Sequence, residues 1–174
     1  MEQLVSIQAP LILPPVPALL GPVELRRATM RDIPALVTMI NDYAAKGIML
    51  PRTEFEMAEN IRDFNVAYAG SHLAACGALH FYSPTVAEIR SLAVHPDWKR
   101  HGLGRDIVLS LEKEAMEQGL RSLFAFTYVD GFFRKLGYDV VDRGELPLKA
   151  WKDCLRCPKF QACDEIAMLK RLIP

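Results

Sequence analysis

Apolar positions in the first half of the chain follow two periods, that of a strand and that of a helix. Three runs rich in apolar and β-branched residues predict strands, at 23–28, 64–69 and 73–82. The last two are joined by Gly70-Ser71, which is typical of a hairpin turn. After Thr29 a helix presents one apolar face, made of Ile33, Leu36, Val37 and Ile40. A second helix is predicted over about 53–62, because Thr53 and Glu56 have the spacing of a capping box.

In the second half, a strand, a turn and a helix follow one another between residues 86 and 119. The strand covers 86–94, the turn is basic and holds Gly102 and Gly104, and the amphipathic helix stops at Gly119. Further strands are predicted at 123–127, 138–141 and 166–172, with a short helix at 131–136. Most strands follow one another directly and one strand-helix-strand crossover lies in the middle. The pattern therefore predicts an α+β fold rather than a doubly wound sheet.

The first 22 residues predict a proline-rich arm, and residues 23–174 predict a single domain. Five prolines, at positions 10, 14, 15, 17 and 22, exclude a helix through most of the arm. The whole sequence is 51% apolar, so the domain that follows the arm can bury a core. Acidic and basic residues number 21 each, so no global field favours nucleic acid or a membrane surface.

The sequence shows no secretory leader, and no stretch reaches the roughly 20 apolar residues of a membrane helix. We therefore expect a cytoplasmic protein whose cysteines are thiols or metal ligands rather than disulfides. Cys154, Cys157 and Cys163 have the spacing of a metal knuckle, but no fourth ligand follows. We favour thiols that pack a loop and predict no metal. The alternative is a metal completed by His80, His95, Asp164 or another subunit. Cys76 is predicted to be a small buried thiol.

The basic turn has the properties of a phosphate site. Gly102 and Gly104 remove side chains that would obstruct a close approach to the backbone. The amides of the first helical turn have no partners within the helix and point at a ligand, and the helix dipole adds favourable charge. Lys99, Arg100 and Arg105 add cations.

The run from Leu92 to Gly104 resembles the acetyl-CoA motif L-A-V-H-P-x-W/Y-x-x-x-G-x-G of the GNAT superfamily of N-acetyltransferases. Lys99 stands where this family usually has Arg or Gln. The segment 132–138 resembles the family's F-(F/Y)-x-x-x-G-(F/Y) pattern, and the order of elements from 23 to 141 matches its fold. The resemblance implies a mixed, mostly antiparallel sheet with a splayed central strand pair and flanking helices.

The resemblance also implies roles for individual residues. The backbone of Leu92, Ala93 and Val94 is expected to align the thioester and pantetheine of acetyl-CoA. The diphosphate is expected on a basic turn made of Lys99, Arg100, His101, Gly102, Leu103, Gly104 and Arg105. Acetylation of an amine needs a base, and Glu88 is our candidate; the alternative is an exposed carboxylate at a strand end. Many relatives protonate the thiolate with a tyrosine where this chain has Phe133, so Thr127 is our candidate donor, with Tyr128 as the other nearby hydroxyl.

Five further segments resemble the acetyltransferase domain of bacterial N-acetylglutamate synthases: 47–52, 60–64, 76–79, 87–92 and 145–147. An acceptor with two carboxylates requires paired cations, for which a planar guanidinium is well suited. Arg52 is the first candidate and Arg27 and Arg90 are weaker; Lys152 or Arg156 are candidates to close the site. These synthases usually carry an amino-acid-kinase-like domain as well, which this sequence lacks. We therefore expect no arginine feedback through such a domain.

Three hypotheses follow from the sequence. The first is transfer of an acetyl group from acetyl-CoA to the α-amino group of L-glutamate, the first step of arginine biosynthesis. We expect direct attack by the amine, because no cysteine neighbours these elements in the sequence. The second is the same chemistry on another amino acid or a small amine. The third is a non-catalytic acyl-CoA-binding module. The fold also makes a homodimer a reasonable expectation.

Overall fold

A seven-stranded mixed sheet forms the centre of the domain. The computed structural model describes residues 22–147, 155 and 157–172. Its strands are β1 (Val23–Arg27), β2 (Phe64–Ala69), β3 (His72–Phe81), β4 (Val86–Val94), β5 (Ser122–Thr127), β6 (Asp139–Val140) and β7 (Ile166–Arg171). Its α-helices are α1 (Ile33–Ala44), α2 (Glu54–Asn60), α3 (Leu103–Glu117) and α4 (Asp130–Arg134). Apart from Pro22, the predicted arm lies outside the described residues.

The strand order is β1-β2-β3-β4-β5-β7-β6. All neighbours are antiparallel except β4 and β5, which are joined through α3 and run parallel. The last strand of the chain, β7, lies between β5 and β6. The α+β class predicted from the hairpin connections is confirmed, and so is the mixed, mostly antiparallel sheet.

The helices cover both faces of the sheet. On one face α1 and α2 pack against a core that includes Leu36, Ile40, Met57, Val66 and Cys76. On the other, α3 packs against residues that alternate with these along the strands, among them Ala67, Ala75, Leu79 and Ile89. The predicted capping box is present at α2, since Thr53 accepts from the Glu56 amide at 3.2 Å and Glu56 accepts from the Thr53 amide at 2.9 Å. None of the helices within the described ranges is long and apolar enough to cross a bilayer.

β4 and β5 separate soon after they meet. Their pairing covers only three positions, from Val86↔Ser122 to Glu88↔Phe124. On its other side β5 pairs with β7 along its whole length, whereas β4 continues to pair with β3 as far as Val94. The central strands therefore form a V that opens beyond Glu88, which confirms the splayed pair.

A β-bulge lies in β4 beside this opening. Cys76 pairs with Ala93 but Ala78 pairs with Arg90, so β4 carries one extra residue opposite Gly77. Ser91 adopts a positive φ of 52° there. The bulge reverses the alternation of side chains: Leu92 and Val94 pack with the α3 core, and Ala93 packs with the α1 core. After the bulge, the alternate side chains of β4 therefore point to the opposite faces from those expected by continuing the alternation of its first residues.

Candidate active site

The V between β4 and β5 opens into a cavity of about 500 Å³. Four segments distant in sequence supply most of its lining: β4 from Glu88 to Leu92, residues 126–129 at and after the end of β5, the α1–α2 loop at 47–52, and positions 157–159, 163 and 165 near the end of the chain. Ala44, Phe133 and Arg143 complete it. Five predicted site residues meet in this cavity, namely Glu88, Arg90, Leu92, Arg52 and Thr127. The structure therefore brings the proposed base and donor together with two of the three proposed substrate cations.

The predicted cofactor strand has a free backbone edge. Beyond Glu88, no strand in the described part of the chain pairs with β4 on its β5 side, so this edge of β4 faces the V. Leu92 lines the cavity, and Ala93 is buried toward α1. The Val94 carbonyl accepts a hydrogen bond from the Tyr43 hydroxyl at 2.5 Å, so part of its accepting capacity is already used.

The basic turn is shaped by its backbone. Arg100 and Gly102 have positive φ values of 67° and 83°, and Gly102 is the N-cap of α3. The first bond of α3 runs from the Asp106 amide to the Gly102 carbonyl at 3.0 Å, so the amides of 103–105 precede the helical ladder. A Cβ at Gly104 would lie 3.3 Å from Val94 Cγ2, so glycine permits this close approach of helix and strand.

Side chains complete the turn. Leu103 is buried in the core, so its amide faces the turn while its side chain holds α3 in place. The four basic residues of the turn are exposed: Lys99, Arg100, His101 and Arg105. A free strand edge that leads to open amides and exposed cations fits the pantetheine and diphosphate of acetyl-CoA.

Glu88 is a buried carboxylate within the cavity. Glu88 is 8% exposed, and the cation nearest to it in the sequence is Arg90. The Tyr82 hydroxyl donates to Glu88 Oε2 at 2.8 Å. Because Glu88 is buried and lines the cavity, the alternative of an exposed strand-end carboxylate is wrong.

Two hydroxyls border the cavity at the end of β5. Thr127 is buried, and its Oγ1 accepts a hydrogen bond from the Val129 amide at 3.0 Å, which leaves its proton to donate. The Tyr128 hydroxyl lies 3.2 Å from Lys159 Nζ, and partial burial raises the pKa of Tyr128. Phe133 is buried and lines the cavity, so this position presents an apolar ring.

The structure separates the three arginines proposed for substrate. The Arg52 amide donates to Asn41 Oδ1 at 2.8 Å, and Asn41 Nδ2 donates to the Arg52 carbonyl at 2.9 Å, so Asn41 fixes the backbone of this residue in the cavity wall. The side chain of Arg90 is 13% exposed and donates to Asn60 Oδ1 at 3.3 Å.

Arg27 lies elsewhere. It does not line the cavity, and its guanidinium contacts Glu114 on α3 at 2.5 Å and the Arg62 carbonyl at 2.8 Å. Its position at the end of β1, an edge strand, explains this contact with a helix across the sheet. The structure therefore removes Arg27 from the candidate substrate residues.

Two cations of the cavity were missed by the sequence analysis. Lys159 Nζ lies 3.4 Å from the Gly47 carbonyl and also contacts Tyr128, so it bridges the α1–α2 loop and the end of β5. Arg143 donates to the Glu165 carbonyl and lies over the ring of Phe126 at 5.7 Å. No local pattern marks either residue, because each reaches the cavity only through the pairing of β7 with β5. The predicted closing residues, Lys152 and Arg156, lie outside the described residues.

The cysteines divide into two kinds. Burial raises the pKa of the Cys76 thiol to about 12, as expected of a structural thiol in the α1 core. Cys157 and Cys163 are partly exposed and line the cavity, and Arg143 lies 3.1 Å from Cys163 Sγ. No cysteine neighbours the proposed catalytic elements in the sequence, but the fold brings these two into the lining of the cavity. Among the described residues no group of three His, Cys, Asp or Glu is arranged to hold a metal; Cys154 is outside them.

Comparison with known proteins agrees with this geometry. An uncharacterised N-acetyltransferase of Chlorobaculum tepidum is 41% identical over 148 residues, which cover 85% of this chain and 96% of that protein. The amino-acid acetyltransferase of Mycobacterium tuberculosis is 32% identical over 121 residues, which cover 68% of this chain and 69% of that protein.

A solved structure extends the likeness to three dimensions. N-acetylglutamate synthase from Neisseria gonorrhoeae, complexed with coenzyme A and N-acetyl-glutamate, superposes with a TM-score of 0.80 at 25% identity. The match covers 87% of this chain but 35% of that chain. The model of the acetyltransferase (GNAT) family matches residues 35–138. With the splayed strands, the open amides of the basic turn and these matches together, the chain belongs to the acetyltransferase (GNAT) family.

Proposed function

We propose that this GNAT N-acetyltransferase transfers the acetyl group of acetyl-CoA to the α-amino group of L-glutamate, the first step of arginine biosynthesis. Its family membership supports acetyl-CoA as the donor, and the free edge of β4 with the basic turn fits that molecule. The observation that carries the acceptor is the cavity itself. It joins Glu88 to the cations Arg52, Arg90, Arg143 and Lys159, contributed by segments far apart in the chain.

Glutamate brings one ammonium and two carboxylates, and the cavity offers groups for each. Carboxylates are stabilised by guanidinium and ammonium groups in a partly enclosed site, where charge-assisted hydrogen bonds are stronger than in water. Arg52 and Lys159 come from different segments of the chain and both line the cavity, so they suit two carboxylates on one molecule. The ammonium suits Glu88, the carboxylate at the base of the V.

In the proposed reaction these residues act one after another. Glu88 accepts a proton from the ammonium of glutamate and leaves a neutral amine. As the nitrogen–carbon bond to the acetyl group forms and the carbon–sulfur bond breaks, the electron pair of that bond goes to sulfur. Thr127 donates its hydroxyl proton toward the sulfur and receives one in turn from the nitrogen side. The net products are N-acetylglutamate, the thiol of CoA and one proton.

The test measures release of CoA thiol from acetyl-CoA with a panel of acceptors: glutamate, glutamine, aspartate, and a small amine without a carboxylate. We expect the highest kcat/KM with glutamate, because glutamine leaves one cation without a carboxylate. A higher kcat/KM for glutamine or another acceptor would show that this compound, rather than glutamate, is the substrate. The acetyl transfer itself would still stand. No release with any acceptor would overturn the enzymatic assignment.

The second candidate is a non-catalytic module that binds acyl-CoA. The observation that favours it is Phe133, a buried apolar ring where many relatives place a donor tyrosine. Such a module would bind acetyl-CoA with the same affinity whether or not acceptor is present, and would form no acetylated product. Product analysis by mass spectrometry in the same assay separates the two candidates.

A further inference from the structure

Tyr82 directly follows β3 and contacts the proposed base. Its hydroxyl donates to Glu88 Oε2 at 2.8 Å, the usual length of a well-formed O–H···O hydrogen bond. We infer that Tyr82 is a positioning residue for catalysis: it orients the Glu88 carboxylate and stabilises its ionised form, so that Glu88 is a competent base near neutral pH. This inference rests on the proposed function, in which Glu88 takes the proton of the acceptor ammonium.

The ring of Tyr82 is fixed from several sides. Its backbone amide donates to the Val86 carbonyl at 3.1 Å, which closes the turn between β3 and β4. Its ring packs at 5.5 Å from the ring of Phe124 and edge-on at 5.1 Å from that of His80. Phe124 and His80 are the register partners of Glu88 on either side, in β5 and β3. The hydroxyl is therefore presented to Glu88 by the same three strands that present Glu88 to the cavity.

The hydrogen bond has a defined electrostatic consequence. Burial of a carboxylate disfavours its charged form, and a hydrogen bond donated to that form favours it. Tyr82 is a neutral donor, so it offsets part of the cost of burial without adding a charge that would repel the acceptor ammonium. A lysine or arginine at this position would also stabilise the carboxylate, but it would oppose the incoming cation.

The remaining charges around Glu88 do not depend on Tyr82. His80 lies opposite Glu88 in β3 and bonds Asp63 Oδ2 at 2.6 Å. The other charged groups of the cavity come from β4, the α1–α2 loop and the late segment: Arg90, Arg52, Arg143, Lys159 and Glu165. A Tyr82→Phe substitution keeps the ring contacts and all of these charges, and removes one hydroxyl. Its effect on Glu88 is therefore attributable to the hydrogen bond.

The test compares Tyr82→Phe with the unaltered protein in two titrations. The first is the pH profile of kcat/KM, whose acidic limb reports the base in the free enzyme. Loss of a hydrogen bond to the ionised form raises the pKa of Glu88, so we expect this limb to move up by about one pH unit. At pH values above the limb Glu88 is ionised in both proteins, so the loss of activity in Tyr82→Phe should be smaller there than on the limb.

The second titration follows the side-chain carboxyl carbons of ¹³C-labelled glutamate by NMR, with the Glu88 signal assigned from its loss in Glu88→Gln. It needs no turnover, so it tests the inference even if the acceptor assignment fails. The matched control is Tyr68→Phe, which removes a hydroxyl that interacts with a different carboxylate, Asp32, outside the cavity. We expect the Glu88 signal to titrate at higher pH in Tyr82→Phe and to be unmoved in Tyr68→Phe.

The outcomes separate cleanly. A Glu88 signal that titrates at the same pH in Tyr82→Phe and the unaltered protein overturns the inference, whatever the activity. An active enzyme whose acidic limb stays fixed in Tyr82→Phe does the same. A shifted NMR titration in a protein that acetylates no acceptor would support the effect of Tyr82 on the carboxylate and defeat the proposed function instead.

Discussion

The two walls of the cavity are built in different ways. The wall proposed for the cofactor is mainly backbone: the edge of β4 beyond Glu88, three residues with positive φ, and the amides that open α3, all within residues 88–105. The wall proposed for the acceptor is mainly side chains, and its cations come from residues as far apart as Arg52 and Lys159. One wall is local in sequence and the other is assembled by the fold.

This difference corresponds to a division of labour. A backbone surface recognises groups that every reaction of the family shares, the amides and phosphates of one cofactor. Side chains can change without altering the strand or the helix N-terminus, so they suit the part of the site that selects the acceptor. Substitutions in one wall should therefore change binding of one substrate and leave the other nearly unaffected.

Glu88 stands where the walls meet, and its removal should have the largest effect. Glu88→Gln keeps size and hydrogen-bonding capacity but removes the base, so we expect kcat to fall by about 10²- to 10⁴-fold. The dissociation constant for acetyl-CoA, measured by calorimetry, should change little. The control is Glu54→Gln, an exposed carboxylate in the first turn of α2. A Glu88→Gln enzyme with more than a tenth of normal kcat would remove Glu88 from the mechanism.

Arg52 tests the acceptor wall. Arg52→Gln removes a charge-assisted contact to a carboxylate, so we expect KM for glutamate to rise by about 10- to 100-fold. The dissociation constant for acetyl-CoA should stay within experimental error, and so should the position of the backbone that Asn41 holds. Arg31→Gln, at an exposed arginine in the turn before α1, is the matched control. Weakened acetyl-CoA binding in Arg52→Gln would contradict the separation of the two walls.

The sequence predicted the two walls unequally, for a physical reason. The glycines, the buried strand and the capping box act on neighbouring residues, so β4, the basic turn and α2 could be predicted locally. Arg27 was a weaker candidate than Arg52, and a lone arginine in a sequence carries no sign of its partner; in the fold, the Arg27 guanidinium pairs with Glu114. Lys159 was missed because its contacts with Gly47 and Tyr128 span 112 and 31 residues of chain.

Lys159 sharpens the comparison, since it was found only through the fold. Lys159→Met keeps a long side chain and removes the charge, and we expect KM for glutamate to rise by about tenfold. KM for glutamine should rise less, so the difference in KM that favours glutamate over glutamine should become smaller. Lys113→Met is the control, at a lysine 76% exposed on α3. Equal effects on both acceptors would show that Lys159 closes the cavity but does not bind the second carboxylate of glutamate.

Gly102 tests the cofactor wall. Its φ of 83° is unfavourable for alanine, so Gly102→Ala should strain the turn and weaken acetyl-CoA binding by about five- to tenfold. Gly119, at the other end of α3, has a φ of 78° and equally open surroundings. Gly119→Ala therefore matches the strain away from the turn, and should lower the melting temperature similarly without changing the dissociation constant for acetyl-CoA. KM for glutamate should stay constant in both variants.

The smallest effect is expected at the two cysteines that line the cavity, although neither neighbours β4 or β5 in the sequence. Cys157 and Cys163 line the cavity, so an acetyl-cysteine route has nucleophiles within the site. Direct attack needs neither thiol, and we expect Cys157→Ala and Cys163→Ala to change kcat by less than about threefold, as for residues outside the reacting set. Initial rates at varied acetyl-CoA and glutamate should give intersecting double-reciprocal lines. Parallel lines, together with a loss of kcat above about a hundredfold in either variant, would place a covalent intermediate on that cysteine instead.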